Sequence, residues 1–313
     1  MLVVLPGNIF SWGFFGHKKI NRMAVFTLPP EMIGFYKKHI EFITEHSVDP
    51  DRRRYAVKEE APRHYIDLEL YGEYPFDSVP RWWKKAVAKY TEDTLMSRGI
   101  LPWYIERAVF RLTEAFKEMN GEKIIKNSAD LGHYIADAHV PLHTTHNYNG
   151  QMTGQHGIHG FWESRLPELF SGSYDFFTGR ARYIERVGDF AWETVLESFL
   201  QKDSVLIMDA ELHKNFPSDL KFSFETRGAS TVKVYSEEYS KKYHMMLNTM
   251  VERRMKSAIL ATGSLWYTAW VNAGQPDLKL LYDKEWSEQF WEEIKQQEKM
   301  WEKGTLKVRD HTD

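Results

Sequence analysis

The sequence predicts an all-α chain organised as a single multi-helix domain. Two observations carry this. Apolar residues recur at helical spacing through most of the chain, and the strict alternation of a half-buried strand is weak everywhere. No internal repeat and no low-complexity linker divides the 313 residues, a length ample for one large core. With 42% hydrophobic and 27% charged residues, the composition is that of a folded, globular chain and not a disordered one.

Taken in order, Met1–Phe10 is apolar and uncharged. It is too short to span a bilayer and lacks the basic start of a full signal peptide. It ends in Ile9-Phe10-Ser11 before Trp12, and residues 1–11 read as a signal-peptide remnant or leader. Arg22–Phe26 and Met32–Ile43 carry helical spacing, interrupted by Pro29-Pro30. Residues 80–97 read as a helix opening on Pro80. Pro102–Met119 places Ile105, Val109, Leu112 and Phe116 on one stripe and ends at Asn120-Gly121. Glu122–His139 follows and is stopped by Pro141. Helices are then expected over Trp162–Phe170, Arg180–Leu200 and, as one long pattern, Tyr235–Val271. A last, charged helix covers Lys284–Trp301 and reads as solvated, so residues 283–313 form a C-terminal extension to a main body over 12–282. Tyr71–Val79, Thr144–Gly157 and Ser171–Thr178 carry the residues of loops. No stretch approaches the ~18 uncharged apolar residues of a membrane helix.

The chain has no cysteine and 13 histidines. That excludes disulfides and thiolate-ligated metal sites, so a transition-metal site must use His, Asp and Glu. A net charge of −3 argues against a broad basic footprint for nucleic acid. Six of the 13 histidines fall between His133 and His159. His133 and Asp137 are four apart in a helix and share a face. His143 follows the Pro141 break, and His159 and Glu163 are again four apart. These are the ligands zinc takes when cysteine is absent, and they exceed what one ion needs. A lone pair of this spacing is more often capped or solvated; two pairs with a histidine between them point to a multinuclear site. His139, His146 and His156 match no spacing and read as loop or surface residues.

The run Gly132-His133-Tyr134-Ile135-Ala136-Asp137-Ala138-His139-Val140-Pro141-Leu142-His143, followed by His159-Gly160-Phe161-Trp162-Glu163, resembles the zinc-dependent phospholipase C / S1–P1 nuclease superfamily. The resemblance spans about Trp12 to Ala273. It implies a mostly helical fold with three Zn²⁺ ions in a cleft. It further implies a mature chain beginning at Trp12, whose α-amine and carbonyl bind zinc, with His17 completing that site. That requires removal of Met1–Ser11, hence a secreted or periplasmic protein. His64-Tyr65-Ile66-Asp67 fits the family's next ligand segment, and Asp49 is the best match for the preceding Asp, with Asp51 the runner-up. The implied sets are Asp49, His64, His133 and Asp137; Trp12, His17 and a bridging Asp137; and His143, His159 and Glu163.

The resemblance implies phosphate-ester hydrolysis by a zinc-activated water, which an Asp in the position of Asp49 orients or deprotonates. Glu163 as the last ligand, the short loop before His159 and the absence of cysteine lean towards a phospholipase C-like phosphodiesterase. The alternative is a single-strand nuclease or nucleotidase, since Asn147 and Tyr148 on the loop, and Phe161 or Trp162, can contact a base. The same aromatics can meet a choline headgroup or simply pack the core. A zinc-holding protein without turnover is the reading from another class. The expected partner is thus a phospholipid headgroup or a single-stranded nucleic acid or nucleotide.

Overall fold

Pro102 stands in the first turn of the helix Leu101–Lys117, where a missing N–H costs nothing. Its stripe of Ile105, Val109, Leu112 and Phe116 is buried. The side chain of Asn120 then accepts from the Lys123 amide at 3.0 Å and caps the helix Gly121–Ala138. These two helices pack on one another and on Met250–Asn272, the long late helix. The first helix, Gly13–Ala24, packs on both Gly121–Ala138 and Met250–Asn272. The computed structural model describes residues 13–227 and 230–309, and it is mostly helical.

The apolar interior is divided into two clusters, and three helices run through both. Ala24, Tyr134, Ile135, Leu265 and Trp266 belong to the first core. Ile20, Ala136, Val140, Val251 and Ile259 belong to the second. Two polar groups inside the first core are paired through Ser128: Trp266 Nε1 donates to the Ser128 carbonyl at 3.0 Å, and Ser128 Oγ meets Tyr36 at 2.8 Å. His17, His133 and Asp137 sit where the two clusters meet.

Close approach of the first helix depends on Gly132. A Cβ there would lie 2.1 Å from Oδ1 of Asn21 and 2.7 Å from its Cγ. Asn21 is fully buried and donates to the His17 carbonyl at 3.2 Å, so it has nowhere to retreat. Gly132→Ala is expected to destabilise the protein by about 1–3 kcal/mol, as overpacking of a close contact does. Urea denaturation checks this, and an unchanged midpoint would show that Asn21 can move aside.

Several elements differ from the sequence reading. The 80–97 segment is two helices, Trp83–Tyr90 and Glu92–Arg98. They are split at Thr91, which takes φ 68° and accepts from the Thr94 amide. The expected Tyr235–Val271 helix is also two, Glu237–Met246 and Met250–Asn272, broken where Asn248 and Thr249 adopt positive φ. Residues ahead of Val187 are non-helical, so that helix is Val187–Phe199. The helix Lys202–Asn215 and an antiparallel hairpin pairing Phe222–Arg227 with Ser230–Tyr235 were not expected. The C-terminal helix, Glu288–Glu302, is charged but not free in solvent: it buries Phe290, Ile294 and Trp301. No helix among the described residues is long and apolar enough to cross a membrane.

Candidate metal centre

Six short segments converge at the seam between the two cores. His17 stands on the first helix, and His133 and Asp137 lie one turn apart on Gly121–Ala138. Pro141 ends that helix, and the following turn Pro141–Thr144 lays His143 beside the turn Ala61–His64. The two turns are tied reciprocally: His143 Nδ1 donates to the His64 carbonyl, and the Ile66 amide donates to the His143 carbonyl at 2.9 Å. His159 opens a helical segment that widens into a π-turn over Phe161–Arg165, which carries Glu163. Such wide turns are frequent at functional sites. Asp51 comes from the short helix Asp49–Arg53.

Among the described residues, four overlapping groups bring potential ligand atoms within 4.8 Å of one another. They are His17, Asp51 and His133; His64, His133 and Asp137; His143, His159 and Glu163; and His17, Asp137 and Glu163. Asp137 is central. Its Oδ2 lies 3.0 Å from His64 and 3.3 Å from His133, and its Oδ1 lies 3.5 Å from His17 and 3.7 Å from His143. Glu163 meets His159 at 2.8 Å, His143 at 3.5 Å and His17 at 3.6 Å. Asp51 lies 3.9 Å from both His64 and His133 and 4.0 Å from His17. The His17 and His133 rings stack at 3.9 Å.

The hydrogen bonds around the rim assign the tautomers. A carbonyl oxygen can only accept, so a ring nitrogen facing one carries the proton. Nδ1 of His133 faces the Ser47 carbonyl at 2.8 Å, Nδ1 of His143 faces that of His64, and Nδ1 of His159 faces that of Tyr148 at 3.1 Å. In the neutral ring each of these leaves a lone pair on Nε2. Those nitrogens point inward at carboxylates: His133 at Asp137, His143 and His159 at Glu163. A lone pair against a carboxylate oxygen repels unless a proton or a metal cation stands between them. The five histidines and Asp137 are each no more than 3% exposed, so water cannot relieve that repulsion. The donor set therefore fits a metal cation: buried His, Asp and Glu, with imidazoles oriented by partners behind them.

The electrostatics describe the same competition. Burial drives the His64 imidazolium down, but Asp137 and Glu60 outweigh it and lift its pKa to about 9. His17 and His143 are likewise raised, against burial, by Glu163 and Asp137. Burial wins at His133 and His159, which are lowered. Burial also opposes charge on Asp137 and Glu163, yet the surrounding imidazoles hold both well below the usual carboxylate range. Protons on histidines thus offset the buried carboxylates, and a cation that binds must displace them. The raised His64 gives a signed expectation. Its contribution to stability is fully present below about pH 6.5, its unfolded value, and is lost as pH rises through about 9. Chelator-treated protein should lose up to roughly 3 kcal/mol across that window, while protein saturated with a metal ion at this cluster should not. Thermal denaturation at stepped pH checks this, and a flat profile for chelated protein would contradict it.

Not every residue singled out in the sequence lies in the cluster. Asp49 does not: its Oδ2 meets His46 Nδ1 at 2.7 Å and its Oδ1 lies 3.6 Å from Arg52. Asp51, two residues on, takes the place expected of it, because two residues are roughly half a turn of helix and send the two carboxylates to different sides. Asp67 also lies outside, bound to Arg309 at 2.7 Å. Trp12 and residues 1–11, expected to form a leader, fall outside the described residues. Phe161 is buried in the second core, stacked at 3.8 Å on Tyr235, and Trp162 is buried beside it. The Phe161 ring packs the core, while Trp162 lines a small cavity with His17 and Glu163. Asn147 is also turned inward, accepting from the Met152 amide at 2.8 Å and donating to Thr153 at 3.1 Å. Tyr148 stays at the rim, half-buried, with its carbonyl on His159. His139 is buried, not on the surface: it meets the Ile135 carbonyl at 2.7 Å, and burial and Arg254 pull its pKa down to about 3. His146 and His156 are exposed.

Glu60 and Arg54 are supporting residues that the sequence reading did not single out. Glu60 is fully buried 3.6 Å from Nε2 of His64, and despite burial it is held ionised by His64 and Arg53. It stands four residues before His64, a spacing the helix rule could have flagged. Arg54, also buried, lies 3.3 Å from Asp51. A scan of protein-family models finds none that matches this chain, and a search of curated proteins finds no match to it either.

Proposed function

We propose that this protein is a zinc-dependent phosphodiesterase of the phospholipase C type, built around a trinuclear centre. The observation that carries the reading is the tautomer pattern. Three imidazoles are fixed from behind by backbone carbonyls so that their lone pairs face buried carboxylates. On this reading His64, His133 and Asp137 hold one ion, with Asp51 beside them. His17, Asp137 and Glu163 contribute to a second, together with Trp12, and His143, His159 and Glu163 hold the third. Bound zinc supplies Lewis-acid polarisation of a phosphoryl oxygen and lowers the pKa of water.

The chain's own residues do the rest. Asp137 presents one oxygen to each of two imidazole pairs, as a shared ligand requires. Burial disfavours the charge of Asp51, but Arg54 and the neighbouring imidazoles keep its pKa low, so it stays an acceptor. It is the group placed to orient an attacking water. Glu60 behind His64 fixes that ring and raises its basicity.

The loop before His159 favours a headgroup-type phosphodiester over base readout. Its amides hold the loop itself. Gln151 donates to the His146 carbonyl at 2.6 Å and accepts from the Asn149 amide at 2.9 Å, and Asn149 accepts from the Gly157 amide at 3.0 Å. With Asn147 committed as well, these side chains have little left to read base edges. Zinc-loaded protein assayed in parallel on phosphatidylcholine and on single-stranded DNA and RNA tests the reading. Lipid headgroup release is expected. Turnover on nucleic acid alone would replace the proposal by the nuclease reading, and three bound zinc ions without turnover on either would make this a zinc-holding protein.

A further inference from the structure

The C-terminal segment reaches the rim of the centre. After Glu288–Glu302 the chain turns at Gly304, where a Cβ would lie 2.5 Å from the Tyr55 carbonyl. The Leu306 amide then donates to that same carbonyl at 3.0 Å. Three residues later the Arg309 guanidinium enters a slot between two rings, 4.2 Å from the centre of Tyr65 and 3.7 Å from that of Tyr148. It donates to Asp67 Oδ1 at 2.7 Å and to the Thr145 carbonyl, and its side chain is only 9% exposed.

Each of these partners belongs to a segment that carries part of the centre. Tyr65 and Asp67 follow His64 directly. Thr145 is two residues beyond His143. Tyr148 supplies the carbonyl that fixes Nδ1 of His159. Arg309 therefore joins the His64 turn to the loop running from His143 to His159, and it does so from 160 or more residues away in sequence. Its planar fork donates to two acceptors while its guanidinium sits close to two aromatic rings, a combination that the point charge of lysine does not reproduce.

We infer that Arg309 is a positioning residue for the His143–His159–Glu163 group, so that the C-terminal segment is part of the metal centre and not an appendage. The inference rests on the metal-centre reading above. Removing the guanidinium frees Tyr148 and Thr145 to shift, and with them the carbonyl that orients His159. Loss of such an outer contact weakens metal affinity by about 10–100-fold.

The test is zinc binding by full-length wild type, Arg309→Ala and Arg309→Lys, measured by titration against a competing chelator. It is read alongside thermal denaturation of the chelated proteins. The expected result is selective weakening of one zinc equivalent of three in both variants, by about 10–100-fold, with the other two unchanged. Retention of all three affinities in Arg309→Ala overturns the inference, whatever happens to the melting temperature. Equal weakening of all three equivalents also overturns it, because that is a general loss of structure. Wild type that binds no zinc defeats the metal-centre reading itself, a result distinct from either.

Discussion

On the proposed trinuclear zinc reading, Asp137→Asn is expected to remove two ions at once and to abolish phosphodiester turnover. Asn keeps the shape of Asp and one carbonyl oxygen, so folding is a minor concern. What it loses is the second anionic oxygen. In the protein one oxygen serves His64 and His133, and the other serves His17 and His143. Among the described residues no other carboxylate meets four of these histidines. The zinc count should fall from three towards one, retained by His143, His159 and Glu163. Turnover should fall by more than the roughly 10²–10³-fold that a single lost electrostatic contact costs. Elemental analysis of the purified variant and a phosphodiesterase assay check both halves. Three tightly held ions in the variant would end the description of Asp137 as a shared ligand.

The second large effect separates two neighbouring carboxylates. Asp51→Asn should cut turnover by at least about 10²-fold, a loss of the order seen for general-base and water-positioning groups. Asp49→Asn should leave turnover within a few-fold. Asp49 faces His46 and Arg52, so its loss should appear as a modest fall in stability. Measuring kcat and melting temperature for both variants decides the matter. The reverse pattern, with Asp49→Asn inactive, would restore Asp49 to the role that sequence position gave it.

Legibility in the sequence followed distance along the chain. His133, Asp137, His143, His159 and Glu163 were readable because helical period and one proline control their relative placement over a few turns. The choice between Asp49 and Asp51 was not readable. Both flank Pro50, and only the entry angle of a short helix decides which one faces the histidines. Arg309 could not be found at all, since its partners Asp67 and Thr145 leave no local pattern near it. The helix breaks at Thr91, Asn248 and Thr249 were missed because residues with side chains take positive φ there, where glycine or proline would have marked the stop. The hairpin was missed because it is largely exposed and its alternation is short: Phe224 is 73% exposed, and only Tyr235 of the second strand is buried. The C-terminal helix was misread as solvated because its buried Phe290, Ile294 and Trp301 are few among many charges.

The meeting of two apolar clusters at one charged seam has a consequence for how the molecule comes apart. Most of the second cluster comes from residues beyond His143, and the histidines and carboxylates hold it against the first. Units of this kind open cooperatively and separately from the rest of a protein. On the metal-centre reading, stripping bound cations leaves imidazoles and carboxylates to face one another across the seam with only protons between them. Limited proteolysis in chelator should therefore cut first within the second unit, at the exposed stretch around Met152–Gly154, while the Leu101–Ala138 helix pair stays intact. Metal supply would then set the lifetime of the folded chain as well as its chemistry.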